Sequence, residues 1–118
     1  MSTFDHAGLM QDINSCLAPF RKSQSEAMRG FGQLAQAAMA EGAISAKNKE
    51  LIALAIGVSQ HCSGCIGFHV KALHTLGATR AELEEMLAVA VYMGGGPSLM
   101  YSAEALRAWD VVSGNTPA

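Results

Sequence analysis

Apolar residues in this chain return every three or four positions, and nowhere do they alternate convincingly with a period of two. A strand half-buried in a sheet needs that alternation, whereas a helix burying one stripe needs a period near 3.6. Val and Ile are dispersed among Ala, Leu and Met rather than gathered into β-branched runs. The pattern therefore predicts an all-α fold of five to six helices.

The helix boundaries are read from caps and breakers. A short first helix is expected around residues 9–17, stopped near Pro19. A second is expected over about 23–40, with Met28, Phe31, Leu34, Ala35 and Ala38 on one face and Gly42 beyond its end. Gly30 and Gly32 weaken it and point to close packing or a break. Ser45 is the expected N-cap of a third helix running to about residue 59. The fourth spans about 62–76, with Gly77 as its stop. Thr79 and Glu82 have capping-box spacing and open the fifth, whose apolar face reads Leu83, Met86, Leu87, Ala90 and Val91. Gly94-Gly95-Gly96 breaks it, and Pro97 opens a last helix that runs to about residue 112. The tail from Ser113 is expected to fray.

A chain of 118 residues is read as one domain over 1–118, long enough to bury a core without disulfide staples. Half of its residues are hydrophobic and only 15% are charged, against about 25% in an ordinary soluble domain. That deficit predicts an oligomer with apolar helix faces buried between subunits. The net charge of −2 and the scattered basic residues argue against nucleic acid as a partner. The first residues lack the basic-then-apolar pattern of a signal peptide, and no apolar run approaches the ~18 residues of a membrane span. A cytoplasmic location is expected.

Cys62-Ser63-Gly64-Cys65-Ile66-Gly67-Phe68-His69 carries the chemistry. In a reducing compartment, a C-x-x-C pair is more often catalytic or metal-binding than structural. On a helix, cysteines three apart bring their Cα atoms within the ~4.4–6.8 Å that a disulfide spans. The closed loop is so short that the bond adds little stability, so it is better explained as one that opens and closes. His69 is four residues past Cys65, a direct neighbour, and ~10 Å along the axis from Cys62. That geometry ties the imidazole to Cys65. The helix N-terminus argues the other way, because its free N–H groups favour a thiolate at Cys62. Both assignments of the nucleophile stand on this reading, and His61 and Ser59 also lie within reach of Cys62. Glu50 shares a helical stripe with Leu54 and Gly57; burial would raise its pKa and make it a general base. On the residue pattern alone it reads as an exposed first-turn Glu.

Other chemistries fit less well. Two Cys and one His supply three zinc ligands where a structural site takes four. Ile66 follows Cys65 where c-type haem attachment requires His. The triple glycine lacks the Lys-Ser/Thr of a phosphate loop. No cofactor or metal is expected. Cys16 reads as a small buried hydrophobe, His6 as part of a weakly ordered end, His74 as a surface or interface residue, and Tyr92, Tyr101 and Trp109 as packing anchors.

Glu50, then eleven residues, then Cys62-x-x-Cys65-x-x-x-His69, resembles the AhpD-like alkylhydroperoxidases of the wider carboxymuconolactone decarboxylase family. The resemblance covers roughly residues 31–109. It implies a helical fold assembled as trimers or hexamers, and thiol-dependent reduction of alkyl hydroperoxides. It further implies Cys65 as the peroxidatic thiol activated through His69 and Glu50, Cys62 as the resolving thiol, and an external dithiol reductant of lipoyl or thioredoxin type. The best-known alkylhydroperoxidases carry a second His just before the second cysteine. Gly64 stands there in this chain, which shortens the relay. The decarboxylase branch lacks the paired thiols. The alternatives are a general thiol-disulfide oxidoreductase and a redox-responsive oligomer without significant peroxidase activity.

Overall fold

The computed structural model describes residues 4–115, and these form six α-helices with no strand among them. They are α1 (His6–Ser23), α2 (Ser25–Met39), α3 (Ala46–Ser59), α4 (Ser63–Thr75), α5 (Arg80–Gly94) and α6 (Gly96–Val112). The all-α expectation holds, and so do most of the boundaries. Ser45 caps α3 by accepting from the Asn48 N–H. Thr79 and Glu82 form the full reciprocal capping box at the start of α5. Gly77 and Gly95 take positive φ values of 82° and 73° in the turns after α4 and α5, where a side chain would be strained.

The core lies between α3, α4, α5 and α6. Leu54 and Val58 of α3 meet Ile66, Val70 and Leu73 of α4, Leu83 and Leu87 of α5, and Ala105, Ala108 and Trp109 of α6. Each fully buried aliphatic side chain contributes roughly 1.5–3 kcal/mol. Helix α4, which carries the cysteines, is the most enclosed element, packed on α1, α3 and α6. Trp109 is buried and Tyr101 packs against the core, as expected of anchors, but Tyr92 projects into solvent. His74 is exposed and meets the Trp109 ring edge-on.

Helix α1 does not stop near Pro19 but runs through it to Ser23. Proline removes the N–H that would bond to the Ser15 carbonyl. Both residues are exposed, so water can take that carbonyl in place of the missing donor. Cys16 is exposed on the same outer face rather than buried. The other end of α1 is well anchored: His6 is buried, with Nε2 3.0 Å from Glu104 Oε1 on α6. This corrects the expectation of a loose end at His6. Gly67 provides the room, since a Cβ there would press on Met10 and His6 of α1 at 3.2 and 3.3 Å.

Gln24 alone separates α1 from α2, and none of the α2 residues is buried. Gly30 and Gly32 neither break it nor mark a close approach; a Cβ at either would meet nothing within 4 Å. Its apolar stripe stays uncovered, with Phe31 68% and Leu34 65% exposed.

Two outcomes are expected. Glu104→Ala leaves the buried His6 Nε2 without its partner and should lower stability by about 1–3 kcal/mol in denaturant melts. Glu82 is held below the usual carboxylate range, chiefly by the Lys47 ammonium at 2.7 Å and then by the Thr79 N–H. A depressed carboxyl stabilises the fold above its ordinary value of 4.5 and loses that contribution as pH falls through its lower folded value. The melting-temperature advantage of wild type over Glu82→Gln should therefore be full at neutral pH and shrink below about pH 4.5.

Candidate active site

Helices α3 and α4 run antiparallel, with Gly57 beside Cys65 and Glu50 beside His69. The first pairing is close: a Cβ at Gly57 would sit 3.1 Å from the Cys65 Cβ, and Cys65 would have to give by a few tenths of an ångström to admit it. That close approach brings the Glu50 side chain to α4. Glu50 Oε2 and His69 Nδ1 are 2.6 Å apart, with the carboxylate 14% and the imidazole 32% exposed. The carboxylate accepts from Nδ1–H, which puts the proton of a neutral ring on Nδ1 and leaves Nε2 a free acceptor. Glu50 is thus not the solvent-facing first-turn residue that its own helix pattern suggests. It is covered because α4 crosses it.

Cys62 and Cys65 are joined as a disulfide, with Cα atoms 5.2 Å apart. Cys62 is the N-cap of α4, and its Sγ accepts the Cys65 N–H at 3.2 Å. Both sulfur-bearing residues are partly exposed, so the pair is open to a reagent from solution. The structure pairs the four residues singled out from the sequence two by two: Cys62 with Cys65 at the start of α4, and His69, one turn further along it, with Glu50 of α3. Among the described residues, no group of three or more His, Cys, Asp and Glu side chains is arranged to hold a metal ion.

At Gly64 a Cβ would come within 2.8 Å of Ile13 Cδ1, so α1 lies across α4 there, although the end of the Ile13 side chain could move aside. Gly64 and Gly67 form a three-residue step on α4 that signals a closely crossing helix, a signal legible in the sequence.

The turn before Cys62 holds a feature that sequence reasoning missed. Cys62 N–H bonds to the Gly57 carbonyl and His61 N–H to the Val58 carbonyl, the paired bonds of a Schellman stop for α3. The left-handed position of that motif, with φ 57°, is filled by His61. It is the one non-glycine with positive φ among the described residues, at a cost of about 1–3 kcal/mol. Its ring stacks on Tyr101 of α6, centroids 4.7 Å apart and planes within 10°.

The expected state of the site can be checked spectroscopically. Imidazole 15N shifts of neutral His69 should report the Nδ1–H tautomer in wild type. Glu50→Ala should move the ring toward the Nε2–H form that free histidine favours.

A model of the carboxymuconolactone decarboxylase family matches residues 25–108. An uncharacterized protein of Cupriavidus necator is 36% identical over 111 residues, covering 94% of this chain and 98% of that relative. Uncharacterized protein 4 in the cox locus of Paracoccus denitrificans is 33% identical over 84 residues, 71% of this chain and 76% of that one. The crystal structure of a carboxymuconolactone decarboxylase family protein from Legionella pneumophila, in its apo form, superposes with a TM-score of 0.91 at 54% identity. The match covers 94% of this chain and 99% of the Legionella chain.

Proposed function

This chain belongs to the carboxymuconolactone decarboxylase family, and we propose that within it the chain works as a thiol-dependent peroxidase reducing alkyl hydroperoxides. The observation that carries this reading is the Glu50–His69 hydrogen bond of 2.6 Å, one helical turn from Cys65 of a partly exposed cysteine pair. In the reduced enzyme Glu50 holds His69 so that Nε2 takes the Cys65 thiol proton, through a water. The thiolate attacks one peroxide oxygen, the O–O bond breaks, and the alcohol leaves with the proton returned by His69. Cys65 is now a sulfenic acid. The Cys62 thiolate attacks its sulfur, the S–S bond forms, and the hydroxyl leaves as water once protonated. An external dithiol of lipoyl or thioredoxin type then exchanges with the disulfide, giving up two electrons and two protons. The N-cap position of Cys62 suits the resolving role, since the α4 N-terminus favours the thiolate that this attack requires.

The same N-cap geometry, with Gly64 in place of a second histidine, favours a second reading: a general thiol-disulfide oxidoreductase in which Cys62 is the first nucleophile. The uncovered apolar stripe of α2 supports assembly with further copies of this chain, a trimer or hexamer on the family pattern. Among the described residues no helix is long and apolar enough to cross a membrane.

Peroxide consumption coupled to a dithiol reductant separates the two readings. Wild type should turn over an alkyl hydroperoxide, Cys65→Ser should abolish turnover, and Glu50→Gln should lower it by about 10²–10⁴, the usual worth of a positioned proton-transfer group. Unimpaired turnover by Cys65→Ser overturns the peroxidase assignment. Disulfide exchange without peroxide consumption in wild type favours the oxidoreductase.

A further inference from the structure

We propose that the His61–Tyr101 stack is a clamp that pre-organises Cys62 for closing the Cys62–Cys65 disulfide, making His61 a positioning residue of the redox site. This deepens the redox reading above and rests on the pair cycling between dithiol and disulfide, but not on peroxide as the oxidant.

The turn between α3 and α4 asks for glycine. It is a Schellman stop whose left-handed residue has φ 57°, and the other positive-φ positions among the described residues, 77, 95 and 114, are all glycines. The chain places a side chain on a strained site at 61 alone. That side chain has a partner: the imidazole lies flat on the Tyr101 ring at 4.7 Å. Tyr101 is itself packed against the core from α6. The stack therefore ties a strained two-helix turn to a third helix that belongs to the rigid body of the fold.

The residue that follows is Cys62. Its N–H is held by Gly57 and its Sγ caps α4 by accepting from the Cys65 N–H. Where Cys62 Sγ stands thus follows from the backbone at His61. In the reduced protein no S–S bond holds that backbone, and an unclamped left-handed histidine would relax toward negative φ and carry Cys62 away from Cys65. The clamp keeps the thiol at closing distance, which raises its effective concentration at the sulfur it must attack. Closure onto a Cys65 sulfenic acid takes the Cys62 thiol proton and releases the hydroxyl as water as the S–S bond forms. Closure against the disulfide of an exchange partner passes both thiol protons and two electrons to that partner, which leaves as a dithiol.

The full-length protein is equilibrated in mixtures of reduced and oxidised dithiothreitol, and the disulfide fraction is read by thiol trapping and mass spectrometry. His61→Ala keeps a side chain on the left-handed site and removes the ring; it should lower the equilibrium constant for disulfide closure about 2- to 10-fold, the range of an aromatic pair. Tyr101→Leu should give a similar drop, Tyr101→Phe should match wild type, and His61→Gly, which relieves the strain as well as removing the ring, should fall less than His61→Ala. A wild-type equilibrium constant in His61→Ala overturns the proposal, since a side chain serving only as a helix stop would change the melting temperatures of the reduced and oxidised forms equally. Because residue 61 is exposed, His61→Ala decides the matter even if Tyr101→Leu fails to fold. No step uses peroxide, so failure here is distinct from failure of the peroxidase assignment.

Discussion

At Gly57 a hydrogen stands where any other residue would bring a carbon to 3.1 Å from the Cys65 Cβ. The site is built on that close crossing: α4 lies directly on α3 in an antiparallel register, and the register puts Glu50 opposite His69. The same helix pair contributes Leu54, Val58, Ile66 and Val70 to the core, so the register is held by apolar burial. The disulfide and His69 therefore sit on the most enclosed helix of the fold and are themselves partly exposed. A site built on packed helices is held more tightly than one built on loops.

Around this pair the chain is clasped from two sides. Helix α1 crosses α4 at Gly64 and Gly67 and is tied to α6 by His6 and Glu104. The strained turn at His61 is tied to the same α6 by Tyr101. Both ends of the Cys62–Cys65 segment are thus referred to α6, which carries no thiol of its own. Helix α2 stands apart from this arrangement: none of its residues is fully buried within the chain, and its apolar stripe accounts for part of the charge deficit seen in the composition.

What is legible in the sequence is what short-range physics decides. The starts of α3 and α5 are visible because Ser45 and the Thr79/Glu82 box satisfy N–H groups three residues away, and the end of α4 because Gly77 takes a backbone angle that other residues resist. The thiol–imidazole stripe is visible because Cys62, Cys65 and His69 share one helix. Glu50 joins the site through the family pattern, since its own helix suggests only a solvated carboxylate. Cys16, Tyr92 and His6 escape a sequence reading for a common reason. Their surroundings depend on which helix lies across them, and residue type alone does not tell. Pro19 misleads because a proline ends a helix only where its lost hydrogen bond has no substitute, and on an exposed face water provides one.

The central claim is that oxygen transfer occurs at Cys65, with Cys62 closing the bond. The most direct measurement exposes reduced Cys62→Ser and Cys65→Ser proteins to one equivalent of an alkyl hydroperoxide in the presence of a sulfenic-acid trap. The adduct is then located by mass spectrometry. The account predicts rapid adduct formation on Cys65 in the first variant and little on Cys62 in the second. Equal or faster trapping at Cys62 would contradict it.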